Sequence, residues 1–229
     1  MSDATSSPTT SAGTIPPGWL HRALRHRSFV IGAVLSLLLL LAAALSLVWT
    51  PWSPYEMDLA SKLQPPTGTH WLGTDAFGRD VASLLLVGAR NSILVGVIAV
   101  GIGLTVGTAL GLLAAAKRGW VEELIMRLAD FTFAFPAILS AIMLTAVFGA
   151  GIVNSIIAIG IFNIPTFARV TRASANAVWS REYILASRAC GKGSLRITLE
   201  HVLPNILSVL IVQATIQFAI AILAEAALS

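Results

Sequence analysis

Four long stretches without a charged side chain constrain this chain more than any other feature. They cover residues 29–49, 92–116, 131–168 and 202–224. A helix of about 20 apolar residues crosses the ~30 Å hydrocarbon core of a bilayer, so three of the stretches fit one crossing each. The stretch over 131–168 would form a helix of roughly 57 Å, which is too long for one crossing. It is therefore predicted to fold back at Gly149, Gly151 and Asn154, where turn-forming residues cluster.

Composition supports five crossings and an all-α, polytopic membrane protein. Hydrophobic residues make up 56% of the 229 residues and charged residues only 11%, far from the balance of a soluble domain. The mean hydropathy of +0.82 excludes a disordered chain. The single cysteine, Cys190, excludes a disulfide scaffold and a cysteine zinc site.

The distribution of charge predicts which ends of the helices face the cytoplasm. If the amino terminus is cytoplasmic, 12 of the 15 lysine and arginine residues fall in the inner segments. The outer segment between the first two crossings keeps three basic and four acidic residues, which is the positive-inside bias of membrane proteins. This topology explains the sequence pI of about 9.8, and a nucleic-acid partner is not expected.

The same topology divides the chain into segments. Residues 1–27 are predicted to be a disordered cytoplasmic tail with its basic flank, because Ser, Thr, Pro and Gly dominate its first part. Residues 28–49 form the first transmembrane span, and residues 50–91 form an extracytoplasmic segment. The helical core occupies residues 92–229 and contains a cytoplasmic loop over 169–204.

The outer segment is expected to lie close to the membrane surface. Residues 81–90 form a short amphipathic stretch that is predicted to lie along the outer interface. Trp49, Trp52 and Trp71 suit this depth, because indole rings prefer the headgroup region.

Two local patterns describe the second and third spans. Gly103, Gly107 and Gly111 form a ridge of small residues that lets another helix approach closely, without indicating which helix packs there. Arg127 and Asp130 have the spacing to pair on the first turns of the third span.

Between these two spans the sequence predicts a short inner loop over residues 117–123. Pro136 follows near the start of the third span, where it either kinks the helix or is accommodated by its neighbours.

The longest inner loop, residues 169–204, is predicted to carry two short helices. Ser180 is a candidate N-cap for the first helix, which the glycine turn at 191–193 would end. Ser194 is a candidate N-cap for a second helix that ends near Pro204. Two short helices at a cytoplasmic turn form either a docking surface or a solvated connector.

A spaced motif in this loop resembles the signature of the permease subunits of binding-protein-dependent ABC importers. That signature is Glu-Ala-Ala, three residues, Gly, nine residues, Ile, any residue, Leu-Pro. This chain has Leu185-Ala186-Ser187, Gly191, His201 and Leu203-Pro204 at the same spacing.

Further blocks resemble the C-type permeases of dipeptide and oligopeptide importers. These blocks cover residues 70–80, 119–136, 181–183 and 225–229. They stand in the order of that family at nearly unbroken spacing, and the resemblance extends over residues 20–229.

The resemblance implies that the first loop helix rests in a groove of a cytoplasmic ATPase, whose closure moves the membrane helices as rigid bodies. The residues that would couple to the ATPase are Leu185, Ala186, Ser187, Gly191, His201, Leu203 and Pro204. Ala186 and Gly191 match the family directly. Leu185 replaces the usual glutamate and leaves Arg181 and Arg188 without a compensating charge. This replacement implies either that the ATPase surface contacting the loop helix is more apolar or that the coupling to the ATPase is weaker.

The family also implies a sixth crossing after Glu225, so five of an expected six crossings are visible and the sequence is either truncated or lacks a region. Glu225 lies about 31 Å along a helix beyond Pro204, close to the outer interface. There its carboxylate either lines the outer mouth or reaches the headgroups.

No catalytic, cofactor or metal site is expected. A nucleotide-binding Walker A loop fails at Gly191-Lys192, which lacks both the following Ser or Thr and the required earlier glycine. Gly101 and Gly103 begin an incomplete dinucleotide pattern with no strand before it. The four histidines lack a metal-ligand spacing, and the spans hold no charged or histidine partner for a nucleophile.

The sequence therefore predicts one of two permease subunits of a bacterial ABC importer for short peptides, located in the cytoplasmic (inner) membrane. Its partners would be a second permease subunit, ATPase subunits that bind ATP and Mg²⁺, an extracytoplasmic substrate-binding protein and lipid. Nickel complexes, glutathione or haem are alternative solutes. A self-sufficient channel or secondary transporter is the other alternative, although the spans lack the ionisable residues of ion coupling and a visible inverted repeat.

Overall fold

A computed structural model describes residues 25–135 and 151–228, together with residues 139, 142, 143, 146, 147 and 149. Within these residues the chain is helical and contains no strand, which confirms the predicted all-α class. The chain divides into two compact units, Met1–Leu41 and Ala42–Ser229. The packed core and the loop that carries the spaced motif both belong to the second unit.

The described residues form helices of very different lengths. They are α1 (Arg27–Val48), α2 (Val81–Ile102), α3 (Thr108–Lys117), α4 (Gly119–Ala134), α5 (Ile152–Trp179), α6 (Glu182–Ala189), α7 (Ser194–Ile197) and α8 (Leu203–Leu228). A 3₁₀ helix covers Leu59–Ser61. One π-helical turn, Gly103–Gly107, joins α2 to α3, and another, Thr198–Val202, joins α7 to α8.

Four helical runs are long and apolar enough to cross a membrane, and they confirm four of the predicted crossings. These runs are Arg27–Val48, Val81–Lys117, Ile152–Trp179 and Ser194–Ala227. The remaining predicted crossing, which begins at residue 131, lies largely outside the described residues. Pro136, predicted either to kink this helix or to be accommodated in it, also lies outside them.

A helix begins where the fold-back within residues 131–168 is predicted, whereas the preceding half of that fold-back lies largely outside the described residues. Helix α5 begins at Ile152, directly after Gly151. Gly149 has φ +88°, a left-handed conformation that favours glycine, and the side-chain amide of Asn154 donates to its carbonyl oxygen at 2.7 Å.

The predicted glycine ridge packs against helix α5. A β-carbon on Gly107 would lie 2.5 Å from the carbonyl oxygen of Ile164, and one on Gly111 would lie 2.5 Å from that of Ala168. Gly103 meets the same helix one turn earlier. The absence of side chains on this ridge therefore allows the backbones to approach closely, and the structure identifies α5 as the partner that the sequence left open.

The core lies where α2, α3, α5 and the helical run from α7 to α8 meet. Its fully buried side chains are mostly aliphatic, with Phe167 and Trp179 as the two aromatic members. Since α5 contributes to the core along most of its length, it is the central element that connects the spans to the loop after residue 179.

The predicted amphipathic stretch over residues 81–90 is not a separate element. Asp80 is the N-cap of α2, and its carboxylate accepts from the Ser83 N–H at 2.8 Å. The helix that starts there continues without a break to Lys117. The expectation that this stretch lies separately along the interface is therefore wrong. The Asp80 cap fixes where the helix begins, and Arg90 inside the helix does not interrupt it.

The inner loop predicted over residues 117–123 is much shorter than expected. Helix α3 ends at Lys117 and α4 begins at Gly119. Arg118 and Gly119 both have positive φ values, 53° and 59°, so two residues suffice to reverse the chain. The charged residues that follow are therefore helical.

Candidate functional site

The loop that carries the spaced motif is a short helix set between two long ones. Helix α5 ends at Trp179, α6 covers Glu182–Ala189, and the next helical run starts at Ser194. We refer to residues 180–204 as the loop region. The first predicted loop helix is therefore confirmed.

The caps of α6 differ in part from the prediction. Arg181, not Ser180, is the N-cap, and the Ser180 hydroxyl donates to the Ala177 carbonyl at the end of α5. At the other end, Gly191 has φ +81° and its N–H donates to the Arg188 carbonyl at 2.9 Å. The predicted stop at this glycine is confirmed, since a left-handed residue closes the last turn.

The second predicted loop helix does not end near Pro204. It begins at Ser194, with Gly193 rather than Ser194 as N-cap, and continues through the π-helical turn into α8. Proline has no N–H and crowds the carbonyl four residues earlier. The wider turn before Pro204 accommodates this, and the Asn205 side-chain amide donates to the His201 carbonyl at 2.6 Å.

Helix α6 exposes most of its surface. Leu185 is 57% exposed and Tyr183 is 45% exposed, although both are large hydrophobic residues. Ala186 is also exposed, whereas Ile184 is fully buried in the core. The helix therefore has one inward anchor and an outward face with apolar side chains.

Two further contacts hold α6 against the rest of the unit. The Arg188 guanidinium lies over the Trp179 ring at the end of α5, 4.8 Å from the ring centroid. On the opposite side, the Tyr183 ring meets the His201 ring edge to face, with the ring centroids 6.2 Å apart.

Charged side chains brace the glycine turn after α6. Lys192 Nζ donates to Glu200 Oε2 at 2.6 Å, and Arg196 Nε donates to Glu200 Oε1 at 2.5 Å. Lys192 Nζ also lies 3.3 Å from His201 Nε2. Glu200 thus binds two cations, one from the turn and one from its own helical run.

The predicted coupling residues fall into three groups. Leu185, Ala186 and Gly191 are exposed on α6 and its turn. Ser187 and His201 are brought together, with Ser187 Oγ 3.5 Å from His201 Nε2. Leu203 packs against the core at the start of α8, and Pro204 next to it is exposed.

A groove borders the loop region where α5, α6 and α8 meet. It has a volume of about 1010 Å³, and its lining includes Arg181, Glu182 and Tyr183 from the beginning of α6 and Asn205 from α8. The exposed face of α6 and this groove together form a surface that a partner protein can contact.

Ion pairs connect α4 to α5 beside the loop region. Arg172 Nε donates to Glu122 Oε1 at 2.6 Å, and the Arg169 guanidinium donates to the Asp130 carboxylate. The predicted pair between Arg127 and Asp130 is wrong: Arg127 pairs with Glu123, one turn earlier on α4, at 2.6 Å. Asp130 instead binds a cation on α5, because the packed helices bring that residue closer.

At the other end of the unit, Glu225 contacts α2. The Ser92 hydroxyl donates to Glu225 Oε2 at 2.8 Å, and Glu225 is half-buried. The carboxylate thus takes part in helix packing, while its position relative to the headgroups stays a prediction.

The outer segment is a tightly hydrogen-bonded turn before α2. The Asp75 carboxylate accepts from the Phe77 and Arg79 backbone N–H groups at 2.8 and 2.9 Å. Gly78 has φ +77°, and a β-carbon there would lie 1.7 Å from the Asp58 carbonyl oxygen. Only glycine fits this position, so the turn is locked to the chain that precedes it.

Asp80 is the polar centre of this turn. His70 Nδ1 lies 3.1 Å from Asp80 Oδ1, and the Ser83 hydroxyl donates to Asp80 Oδ2 at 2.8 Å. Burial alone would raise the pKa of Asp80, but the hydrogen bonds from Ser83 and His70 outweigh it and hold the pKa below its usual value.

Several residues of the loop region had no signal in the sequence motif. Ile184, Arg188 and Lys192 do not belong to the matched positions, yet each fixes α6 or its turn. Helical spacing relates Ile184 to Arg188. However, Trp179, which Arg188 contacts, and His201, which Lys192 contacts, lie on other elements. Only the fold brings them within contact distance. Within the described residues, no cluster of His, Cys, Asp and Glu side chains could hold a metal ion.

Two family models match the chain. Residues 107–229 match the binding-protein-dependent transport system inner membrane component, and residues 19–66 match the N-terminal transmembrane domain of oligopeptide transport permease C. The first match contains the glycine ridge from Gly107 onward, the ion-paired helices and the loop region.

Curated relatives are similar over most of the chain. The dipeptide transport system permease protein DppC of Alkalihalophilus pseudofirmus is 40% identical over 204 residues, which cover 89% of this chain and 67% of the relative. The di/tripeptide transport system permease protein DppC of Pseudomonas aeruginosa is 41% identical over 214 residues, with coverages of 90% and 71%. The glutathione transport system permease protein GsiD of Escherichia coli is 40% identical over 212 residues, with coverages of 91% and 69%.

The chain therefore belongs to the binding-protein-dependent transport system inner membrane components, as an ABC importer permease of the oligopeptide permease C type.

Proposed function

We propose that this chain is a permease subunit that moves short peptides across the bacterial inner membrane, driven by ATP hydrolysis on separate subunits. The similarity to proteins named as dipeptide and di/tripeptide permeases supports this substrate class. The spanning helices would supply part of a translocation path, and a second permease subunit would supply the rest. An extracytoplasmic binding protein would deliver the peptide.

Helix α6 is the observation that carries the proposal. It lies between the ends of two membrane-spanning runs, exposes Leu185 and Tyr183, and is anchored inward through Ile184. A partner that grips the exposed face and moves will therefore displace both runs at once, as a rigid-body lever does. Such a helix in the groove of an ATPase converts a change between ATP-bound and ATP-free states into a change of access.

The seat of α6 on the ATPase would be more apolar than in relatives with a glutamate at this place. Leu185 presents a 57% exposed aliphatic side chain where the signature has that glutamate. Arg181 and Arg188 flank it on the same helix and leave a basic border. The complementary surface on the ATPase would be an apolar pocket for Leu185 with an acidic rim for the two arginines.

Nucleotide chemistry would reside on the ATPase subunits, which bind ATP and Mg²⁺. The glycine turn at residues 191–193 carries a lysine, but its sequence lacks the spacing of a phosphate-binding loop. Its lysine binds Glu200 instead of facing an open loop. This chain would thus transmit motion and perform no chemical step.

Glutathione is a second candidate substrate. A relative named as a glutathione transport permease is 40% identical over 212 residues, which is as similar as the dipeptide permeases. Glutathione is itself a tripeptide, so both candidates fall within small peptides. The binding protein, rather than this chain, is expected to discriminate between them.

The substitution Leu185→Asp tests the coupling surface. A carboxylate placed in an apolar groove costs several kcal/mol, of order 2–5. The ATPase subunits should therefore no longer co-purify with the tagged permease, while the second permease subunit is still recovered. Leu63→Asp is the matched control, because Leu63 is 72% exposed in the outer segment. Recovery of the ATPases with Leu185→Asp, at the wild-type amount, would contradict the proposed coupling surface.

A further inference from the structure

Helix α6 depends on a small number of side-chain contacts for its orientation. Of its residues only Ile184 is buried. The glycine turn at 191–193 follows directly, and a β-carbon on Gly191 or Gly193 would meet no atom within 4 Å. Since no large interface restrains the helix, its few side-chain contacts decide how its exposed face is presented.

His201 makes contact with both α6 and the glycine turn. Its Nε2 lies 3.3 Å from Lys192 Nζ and 3.5 Å from Ser187 Oγ, and its ring packs edge to face on Tyr183. Tyr183 and Ser187 are four residues apart and therefore lie on the same face of α6. A single imidazole thus faces two successive turns of the helix and the segment that ends it.

The donors around His201 determine its hydrogen-bonding role. A lysine ammonium only donates, so in this contact His201 Nε2 is the acceptor. The Ser187 hydroxyl donates to the Tyr183 carbonyl at 2.9 Å, which leaves the Lys192 bond as the principal polar contact of the ring. An aliphatic side chain at this position would offer Lys192 no acceptor.

The backbone beneath His201 is also fixed. His201 lies in the π-helical turn Thr198–Val202, and its carbonyl accepts from the Asn205 side-chain amide at 2.6 Å. Glu200, the preceding residue, holds Lys192 at 2.6 Å. A π-helical turn rotates the side chains that follow relative to a regular helix, and here the ring faces α6.

We propose that His201 is a positioning residue that fixes the orientation of α6 relative to the start of α8. Through α6 it would set how Leu185 is presented to the ATPase, and this second statement rests on the proposed function. The signature has isoleucine at this position, whereas this chain has a histidine.

The only cysteine of the chain provides a probe for this proposal. Cys190 is exposed at the end of α6, and a nitroxide spin label attached there reports the mobility of the helix. The measurement uses the full chain in lipid nanodiscs without partner subunits, in wild type, His201→Ile and His201→Gln. Isoleucine is the residue of the signature and removes the acceptor, while glutamine provides an acceptor oxygen.

We expect the mobile component of the spectrum to rise roughly fivefold in His201→Ile, as the loss of one net hydrogen bond implies. His201→Gln should return most of the label to the ordered component. Leu199→Gln is the matched control, because Leu199 is 55% exposed in the same π-helical turn, and its spectrum should equal that of wild type. Identical spectra for wild type and His201→Ile would overturn the proposal, as would a His201→Gln spectrum as mobile as that of His201→Ile.

A second measurement separates this proposal from the proposed function. In the assembled transporter, the peptide-stimulated ATPase activity of His201→Ile should fall, and His201→Gln should restore it. If His201→Ile had a mobile label but an unchanged ATPase activity, His201 would still be the positioning residue of α6. The proposed role of α6 in coupling would then be contradicted.

Discussion

At the scale of single residues, hydrogen-bonded carboxylates organise the outer segment. Asp80 caps α2, accepts from Ser83 twice and lies against His70. Hydrogen bonds also lower the pKa of Asp75 and of Asp58, despite the opposing effect of burial. All three carboxylates therefore stabilise the fold at neutral pH, and all three lose this contribution as the pH falls.

Acidification should destabilise this segment through Asp80. A carboxyl group whose pKa is lower in the folded state stabilises the fold above its unfolded pKa of about 3.9, and this contribution is lost as the pH falls through the folded value. The thermal midpoint of the detergent-solubilised protein, followed by tryptophan fluorescence, should fall between pH 5 and pH 3 by this mechanism. Asp80→Asn should have a lower midpoint at pH 7 and a flatter pH dependence.

Asp58 and Asp75 retain their own contributions, so the flattening in Asp80→Asn should be partial. Glu56→Gln serves as the control, because Glu56 is an exposed carboxyl of the same segment. Equal pH dependence in wild type and Asp80→Asn would show that Asp80 does not carry the effect.

The end of α6 was predicted correctly from a local requirement. Gly191 ends α6 because a left-handed residue is needed within one turn of the helix, and that requirement is visible in the sequence. Asp130 was assigned a partner three residues away, but it pairs with Arg169 on another helix. A spacing rule cannot detect a partner that only helix packing brings near.

At the scale of elements, the glycine ridge allows close contact with the backbone of α5. Gly107→Ala places a β-carbon 2.5 Å from the Ile164 carbonyl oxygen and 2.6 Å from Phe167 Cβ. Because backbone atoms cannot yield as a flexible side chain does, we expect a loss of about 1–3 kcal/mol and a lower thermal midpoint.

Gly101→Ala is the matched variant for this test. Gly101 lies in the same helical run, and a β-carbon there would meet no atom within 4 Å. Its midpoint should be unchanged or raised, since alanine favours a helix over glycine by about 1 kcal/mol. If Gly107→Ala melted at the same temperature as Gly101→Ala, close approach of the two backbones would not stabilise the unit.

Element boundaries were harder to predict than the elements themselves. Charge-free windows located the spans because burying a charge in hydrocarbon is costly. The same rule placed residues 81–90 and 194–201 outside the adjoining spans, although helices continue through both. A helix does not end where the membrane ends, and at Pro204 a π-helical turn allows continuation where a proline alone suggests a stop.

At the scale of the whole molecule, the topology makes a prediction that Cys190 can test. If the loop region is cytoplasmic, a membrane-impermeant maleimide should label Cys190 in inside-out vesicles and leave it unlabelled in intact spheroplasts. The permease is expressed without its ATPase subunits, so that no partner covers the thiol. A cysteine introduced at Leu63, exposed in the outer segment, should show the reverse pattern in a Cys190→Ser background. Labelling of Cys190 from outside would invert the topology.

Peptide uptake into proteoliposomes tests the central claim most directly. The chain is reconstituted with its second permease subunit and ATPase subunits, ATP is enclosed, and a radiolabelled dipeptide is supplied with the binding protein. Accumulation should require ATP, the ATPase subunits and this chain together, and it should be lost with Leu185→Asp and retained with Leu63→Asp. Accumulation by this chain without ATP or the ATPase subunits would contradict the account.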